Sequence, residues 1–173
     1  MNKTVQLVHK PYVEWVRIYQ EASEKLRAIL GSFITELHHI GSTSVAAMIC
    51  KPTVDILGVV KDELSLQSHR ARLEQEGFFW HIDNGVPGKI NLTSQSPAPG
   101  IHIYLFPTGH SEIEKYLSFR DHLRDNPEAC RTYEKLKTQL QREFANDPET
   151  YQAGKHELIQ ALLSQINLSK TRH

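Results

Sequence analysis

The chain has 173 residues, with 20 basic and 20 acidic side chains, ten histidines and two cysteines. That length makes a single domain over residues 1–173 the expectation and lets the chain bury most of its apolar surface without disulfide staples. Balanced charge excludes a broad polyanion-binding field, so no nucleic-acid surface is expected and any anion site must come from local arrangement.

In chain order, Pro11 suits the first position of a helix, where its missing amide hydrogen costs nothing. Tyr12, Trp15, Tyr19, Ala22, Leu26 and Ile29 then recur every three or four residues, the apolar face of a long helix that Gly31 ends. Residues 33–40 predict a strand running into His39-Ile40-Gly41-Ser42-Thr43-Ser44. Gly41 permits backbone conformations that a side chain forbids, and the hydroxyls after it suit the start of a helix whose free amides face a phosphate. Residues 45–50 are apolar enough for a short helical segment, and 53–60 are β-branched and apolar, a buried strand. Asp62 is placed to cap a helix carrying Leu64, Leu66 and Leu73, which Gly77 closes. Strands follow at 78–82, 89–93 and 101–106, the last two joined by a Ser/Pro/Gly loop as an antiparallel pair. Three helices complete the chain, two of them announced by Asn126-Pro127 and Asp147-Pro148. The expected architecture is α+β.

Cys50 and Cys130 have neither metal nor disulfide spacing, which fits a reducing compartment. No apolar run is long enough to cross a bilayer and residues 1–10 lack a signal-peptide core, so a cytoplasmic protein without membrane partners is expected.

Chemistry concentrates on few residues. Asp55 is a lone acid on the apolar strand, so it requires a metal, a cation or a proton. His102 and Tyr104 share one face of the 101–106 strand, and His39 leads into the Gly-Ser turn. His39, Asp55 and His102 together would make a transition-metal set, with a hydrogen bond from neutral histidine to Asp55 as the plainer alternative. Arg120 lies three residues from both Leu117 and Leu123, which puts it on an inward helix face. Lys155 is four past Tyr151 and Lys137 four past Tyr133. Lys137 is read as an apolar stem with its charge in water. Arg120, Lys155 and Lys51 are read either as halves of ion pairs or as ligands for a bound anion.

The strings His39-Ile40-Gly41-Ser42-Thr43-Ser44-Val45 and Lys51-Pro52-Thr53-Val54-Asp55-Ile56-Leu57 resemble the GrpB family, a branch of the nucleotidyltransferase superfamily. Ile101-His102-Ile103, Phe119-Arg120-Asp121, 133–137 and Tyr151 with Lys155 extend the likeness across most of the chain. The resemblance implies a nucleotidyltransferase-like mixed β-sheet with flanking helices and a C-terminal helical segment. It further implies a nucleotide or other phosphate-bearing small molecule as ligand, and transfer of a nucleotidyl group as the reaction. Gly41, Ser42 and Thr43 would hold phosphate, with Lys51, Arg120 and Lys155 neutralising charge. Asp55 and His102 would be catalytic. A divalent metal (Mg or Mn) would sit on Asp55 with His39 and His102, beside a nucleoside triphosphate.

The superfamily's strand carries two carboxylates two residues apart, and the second place here is Leu57. That leaves a non-catalytic accessory module, as in GrpB-like domains joined to a coenzyme A biosynthetic kinase, and a metal-dependent hydrolase as alternatives. Ala46-Ala47 stands where the family usually has Pro-Gly, Gly100 where a further histidine is common, and His38 where glutamate is frequent.

Overall fold

Alternating burial along the apolar strands and single apolar stripes along the helices leave one economical solution, a sheet covered by helices on both faces. The computed structural model describes residues 4–62, 66–82, 85–94 and 99–170, of which 82 and 167–170 are described by backbone alone. The predicted first turn of a helix at 63–65, the turn residues Asp83 and Asn84, and the loop centre at 95–98 lie outside the described residues.

Helix α1 (Tyr12–Leu30) starts after Pro11 and stops at Gly31, whose φ of 55° is left-handed. Strand β1 (Ile34–Ile40) leads to Gly41, and β2 (Thr53–Val60) returns antiparallel beside it. A six-residue helix α2 (Arg70–Gln75) precedes β3 (Phe78–Ile82), β4 (Ile90–Ser94) and β5 (Gly100–Pro107). The sheet order is β1-β2-β5-β4-β3, with β2 and β5 parallel and every other pair antiparallel. Helices α3 (Ser111–Asp125), α4 (Pro127–Phe144) and α5 (Pro148–Lys170) follow. Asn126 caps α4 by accepting from the amides of Glu128 and Ala129, as its Asn-Pro sequence predicts. The α+β architecture and mixed sheet are therefore as expected.

Period-two alternation sorts the strands onto two faces. Ile56, Leu92, Ile103 and Leu105 pack under α1 with Trp15, Leu26 and Ile29. Ile40, Leu57, Val59 and Phe106 pack on the other face, against Ile113, Tyr116 and Leu117 of α3. Leu57, where a second carboxylate would stand, is fully buried in this second layer. Beyond it, α3, α4 and α5 share a smaller core of Leu123, Ala129, Tyr133 and Leu162, which Val45 and Met48 complete.

No helix begins at the Gly-Ser turn. Ser42–Ser44 is a single 3-10 turn, and 45–50 is an irregular connection, correcting both helical expectations. The chain leaves helical geometry at Val45, which is extended at φ −108° and ψ 124°, and Ala47 then takes φ 61°, the left-handed conformation. Alanine at positive φ carries strain of about 1 kcal/mol or more. Ala47→Gly should therefore stabilise the fold by roughly 0.5–1 kcal/mol after the entropy lost to the freer unfolded chain. Urea unfolding checks this, and a destabilised variant would contradict it.

Candidate functional site

Three strand ends place the site. Ile40, the last residue of β1, pairs with Asp55, and Asp55 pairs with His102 at the start of β5. Asp55 therefore stands on the α3 face with His102 and Tyr104, directly under the Gly41 turn. The Tyr104 hydroxyl donates to Asp55 Oδ1 at 3.2 Å, and His102 Nδ1 lies 3.8 Å from the same oxygen. Gly41 takes φ 69° and ψ −173°, and a Cβ there would overlap Asp55 Oδ2. Only glycine lets the carboxylate lie against this turn.

The helices close the other wall. Ser42, Cys50, Lys51, Thr53, Lys137, Tyr151, Gln152 and Lys155 join Asp55, His102 and Tyr104 around a cleft of about 140 Å³. Lys137 comes from the interior of α4 and is 2% exposed, the reverse of the solvated tip expected from sequence. Its Nζ donates to Ser42 Oγ at 3.2 Å and to the Ile49 carbonyl, and lies 5.0 Å from the Tyr133 ring centre. Lys155 repeats the relationship one helix later, 4.9 Å from the Tyr151 ring, and Lys51 approaches the same ring at 5.4 Å. Each helix thus carries a lysine one turn after a tyrosine, and both lysines line one cleft with Tyr151, while Tyr133 packs in the helical core. Tyr151 is fully buried, and its hydroxyl has no hydrogen-bond partner among the described residues.

Electrostatics follow from this enclosure. Burial lowers the Lys137 ammonium to a pKa of about 8 against weaker opposing attractions from Cys50 and Glu134. Burial likewise lowers Lys155 to about 8, and neighbouring Lys51 adds to the effect. Lys51 is lowered by burial too, and the Tyr151 phenol is pushed up to about 12. The Asp55 carboxyl is held above its usual range by burial, despite opposing pulls from His102, Lys155, Tyr104 and Lys51. Three ammoniums and one carboxylate make this cleft electropositive.

Other predicted site residues point elsewhere. His39 pairs with Ile56, so the two-residue period turns it to the α1 face. There it stacks on Tyr19 at 4.9 Å and its Nε2 meets Thr43 Oγ1 at 3.0 Å, which removes both His39 and Thr43 from the cleft. Arg120 is on an inward face as predicted, but its guanidinium is bidentate to Asp121, at 2.7 and 3.1 Å, and reaches the His39 carbonyl at 3.4 Å. The ion-pair alternative describes Arg120, and Asp121 is its partner. The orphaned Tyr151 hydroxyl has no signal in the sequence.

His39 is therefore structural. Burial and then the nearby charges of Arg124 and Arg120 lower its pKa to about 4. Between that value and the unfolded value of 6.5 the unfolded chain binds more protons. The contribution is intact above the unfolded pKa and lost as pH falls through the folded one. Acidification across this window should remove roughly 2–3 kcal/mol in the wild type. His39→Gln should flatten the pH dependence of urea unfolding there, and an unchanged slope would contradict the assignment.

The donor set does not fit a resident divalent ion. Asp55 contributes one carboxylate, Leu57 none, and His39 faces away. Among the described residues no three His, Cys, Asp or Glu side chains converge, which corrects the expected His39/Asp55/His102 metal set. Magnesium and manganese favour several oxygen ligands, whereas this cleft is lined by one carboxylate and three lysines. Among the described residues, no helix is long and apolar enough to cross a membrane.

Known proteins resemble this chain in sequence and fold. The family model described as "GrpB protein" matches residues 4–165. UPF0157 protein YqkA of Bacillus subtilis is 30% identical over 146 residues, covering 84% of this chain but only 43% of that protein. UPF0157 protein BH1888 of Halalkalibacterium halodurans is 29% identical over 154 residues, covering 88% of this chain and 78% of the relative. The crystal structure of conserved protein GrpB from Enterococcus faecalis superposes with a TM-score of 0.81 at 27% identity, covering 93% and 98% of the two chains. A crystal structure of the Cid1 poly(U) polymerase matches 76% of this chain and 43% of its own length, with a TM-score of 0.54 and 17% identity. At that distance the fold alone is shared, and it is nucleotidyltransferase-like. The chain belongs to the GrpB family.

Proposed function

We propose that the Asp55 cleft binds the phosphate group of a small molecule, and that lysine ammoniums rather than a metal ion neutralise its charge. Lys137 carries this reading. It is a buried cation whose hydrogen-bond partners are the neutral oxygens of Ser42 and Ile49. An uncompensated buried charge costs several kcal/mol, and a bound anion offsets that cost. Lys51 and Lys155 line the same cleft and add charge, and the Tyr151 hydroxyl supplies a donor that is otherwise unpaired among the described residues. The cleft, at about 140 Å³, is smaller than the roughly 300–1,000 Å³ of drug-sized pockets. It suits a phosphate group, with the remainder of a larger ligand outside.

Metal-assisted nucleotidyl transfer needs carboxylates that this site lacks, so binding is the function we assign. The His39/Asp55/His102 hydrolase has no support, because His39 lies on the other face of the sheet from Asp55 and His102. A Cid1 poly(U) polymerase structure holds Mg 3'-dATP, which makes nucleoside triphosphates sensible probes beside inorganic phosphate.

A thermal-shift series in metal-free buffer tests the reading. A phosphate compound at ~100 times its Kd should stabilise the protein by roughly 2.7 kcal/mol, a rise of roughly 5–10 °C. Lys155→Ala should abolish the rise. No shift with inorganic phosphate, pyrophosphate or any triphosphate would overturn the proposal. A shift that appears only with Mg²⁺ or Mn²⁺ would overturn it in favour of a metal-assisted transferase.

A further inference from the structure

We infer that the phosphate held in this cleft is recognised through a proton it carries, and that Asp55 is the residue that reads it. This rests on the phosphate-binding function proposed above. A carboxylate is a poor neighbour for an anion, since two oxygens without hydrogen repel each other. Asp55 nevertheless lines the same small cleft as the three lysines, with a quarter of its side chain open to it. The conflict disappears when the ligand places a P–OH between them, because an ionised carboxylate can only accept.

The geometry leaves Asp55 free to accept. Oδ1 takes one hydrogen bond from Tyr104, and Oδ2 rests against Gly41. A carboxylate has about four acceptor positions, so these neighbours do not saturate it. Among the described residues, His102, with Nδ1 at 3.8 Å, is the basic side chain within ion-pair distance of Asp55. Lys51 and Lys155 are instead drawn toward the Tyr151 ring. Carboxylate and ammoniums thus face the cleft without closing on each other, which leaves a place for a group that both donates and accepts. Inorganic phosphate is such a group near neutral pH. Sulfate has the same shape and a similar charge but no proton, and would set a bare oxygen against Asp55.

Charge points the same way. Lys51, Lys137 and Lys155 less Asp55 leave two positive charges (3 − 1 = 2) to be met by the ligand. The hydrogen-phosphate dianion meets them while keeping its proton. A monoester dianion also matches in charge, but it has lost the proton. Asp55 is therefore a specificity-determining residue of the site, and it acts by hydrogen bonding.

Calorimetric titration in metal-free buffer near neutral pH, with inorganic phosphate, sulfate and methyl phosphate, tests this. Wild type should prefer phosphate to sulfate by about a hundredfold, the usual penalty for an unpaired charged acceptor. Methyl phosphate, about one-tenth protonated one unit above a second pKa near 6, should bind about tenfold more weakly than inorganic phosphate. That arm separates free phosphate from the phosphate end of a larger molecule. Asp55→Asn supplies an amide donor of the same shape, and should bring sulfate to within about tenfold of phosphate. Equal binding of phosphate and sulfate by wild type would overturn the inference while leaving the phosphate site standing. So would methyl phosphate binding as tightly as inorganic phosphate, or unchanged selectivity in a folded Asp55→Asn. Failure of phosphate and sulfate alike to bind would overturn the underlying function as well.

Discussion

Replacing Gly41 with alanine is expected to destabilise the fold by roughly 3–5 kcal/mol and to abolish phosphate binding. Two costs add. The backbone at φ 69° and ψ −173° lies in a region essentially reserved for glycine, worth about 1–3 kcal/mol for any other residue. The new methyl would also overlap Asp55 Oδ2 and sit 3.1 Å from the Cβ and Cγ of the same residue. Neither partner can retreat easily, because Asp55 is fixed between two strands and Ile40 is buried beside it. Gly31→Ala is the control. It has positive φ, with ψ −132°, but nothing within 4 Å of an added Cβ, so it should lose only the strain, about 1–3 kcal/mol. Urea unfolding of the two variants separates strain from clash. Equal losses would mean that the close approach of Gly41 to Asp55 contributes nothing.

Lys137→Met should have opposite effects on binding and stability. Methionine keeps most of the side chain's volume and removes a buried charge, a change that is often stabilising by 1–4 kcal/mol. The Ile49 carbonyl loses a donor, which returns part of that gain, so a net stabilisation of about 1 kcal/mol is expected. Phosphate affinity should fall at least about a hundredfold. The ammonium's pH dependence gives an independent check. With a folded pKa of about 8 against an ordinary 10.5, Lys137 binds its proton more weakly than the unfolded chain does. Ligand-free wild type should therefore gain stability as pH rises across this interval, by roughly 2–3 kcal/mol from this group. Over the same interval phosphate affinity should fall, as neutral amines replace ammoniums. Lys155 adds in the same sense. In Lys137→Met the alkaline gain should shrink accordingly. A variant that is less stable and binds phosphate normally would make Lys137 a structural residue.

Much of this was legible in the sequence, because the signals were local. The apolar run at 53–60, the aromatic run at 78–82 and the Asn126-Pro127 cap each fix an element through its own residues. The Gly41–Asp55 pairing was legible too, since a Gly-Ser turn and a strand acid carry the family resemblance. Register was not. His39 directly precedes Ile40, yet pairing with β2 puts one residue on each face of the sheet, and that pairing is tertiary information. Arg120 was correctly turned inward by helical spacing, but spacing says nothing about the partner a guanidinium finds. Lys137 shows the sharpest difference. Four past Tyr133 meant the apolar face of α4, where a lysine normally reaches for water, and only the packing of α4 against the Gly-Ser turn closes that route. Ala47 was misread because alanine favours helix, whereas the turn around it demands positive φ.

Convergence of three lysines on one bound phosphate is open to lysine-selective NMR. The protein would be titrated with inorganic phosphate in metal-free buffer, with the side-chain resonances of Lys51, Lys137 and Lys155 assigned by single substitutions. The account predicts that these three resonances move together with one saturation curve, and that the pKa of Lys137 rises from about 8 as the anion binds. Movement confined to exposed lysines such as Lys25 and Lys115, with Lys137 unchanged at saturating phosphate, would contradict it.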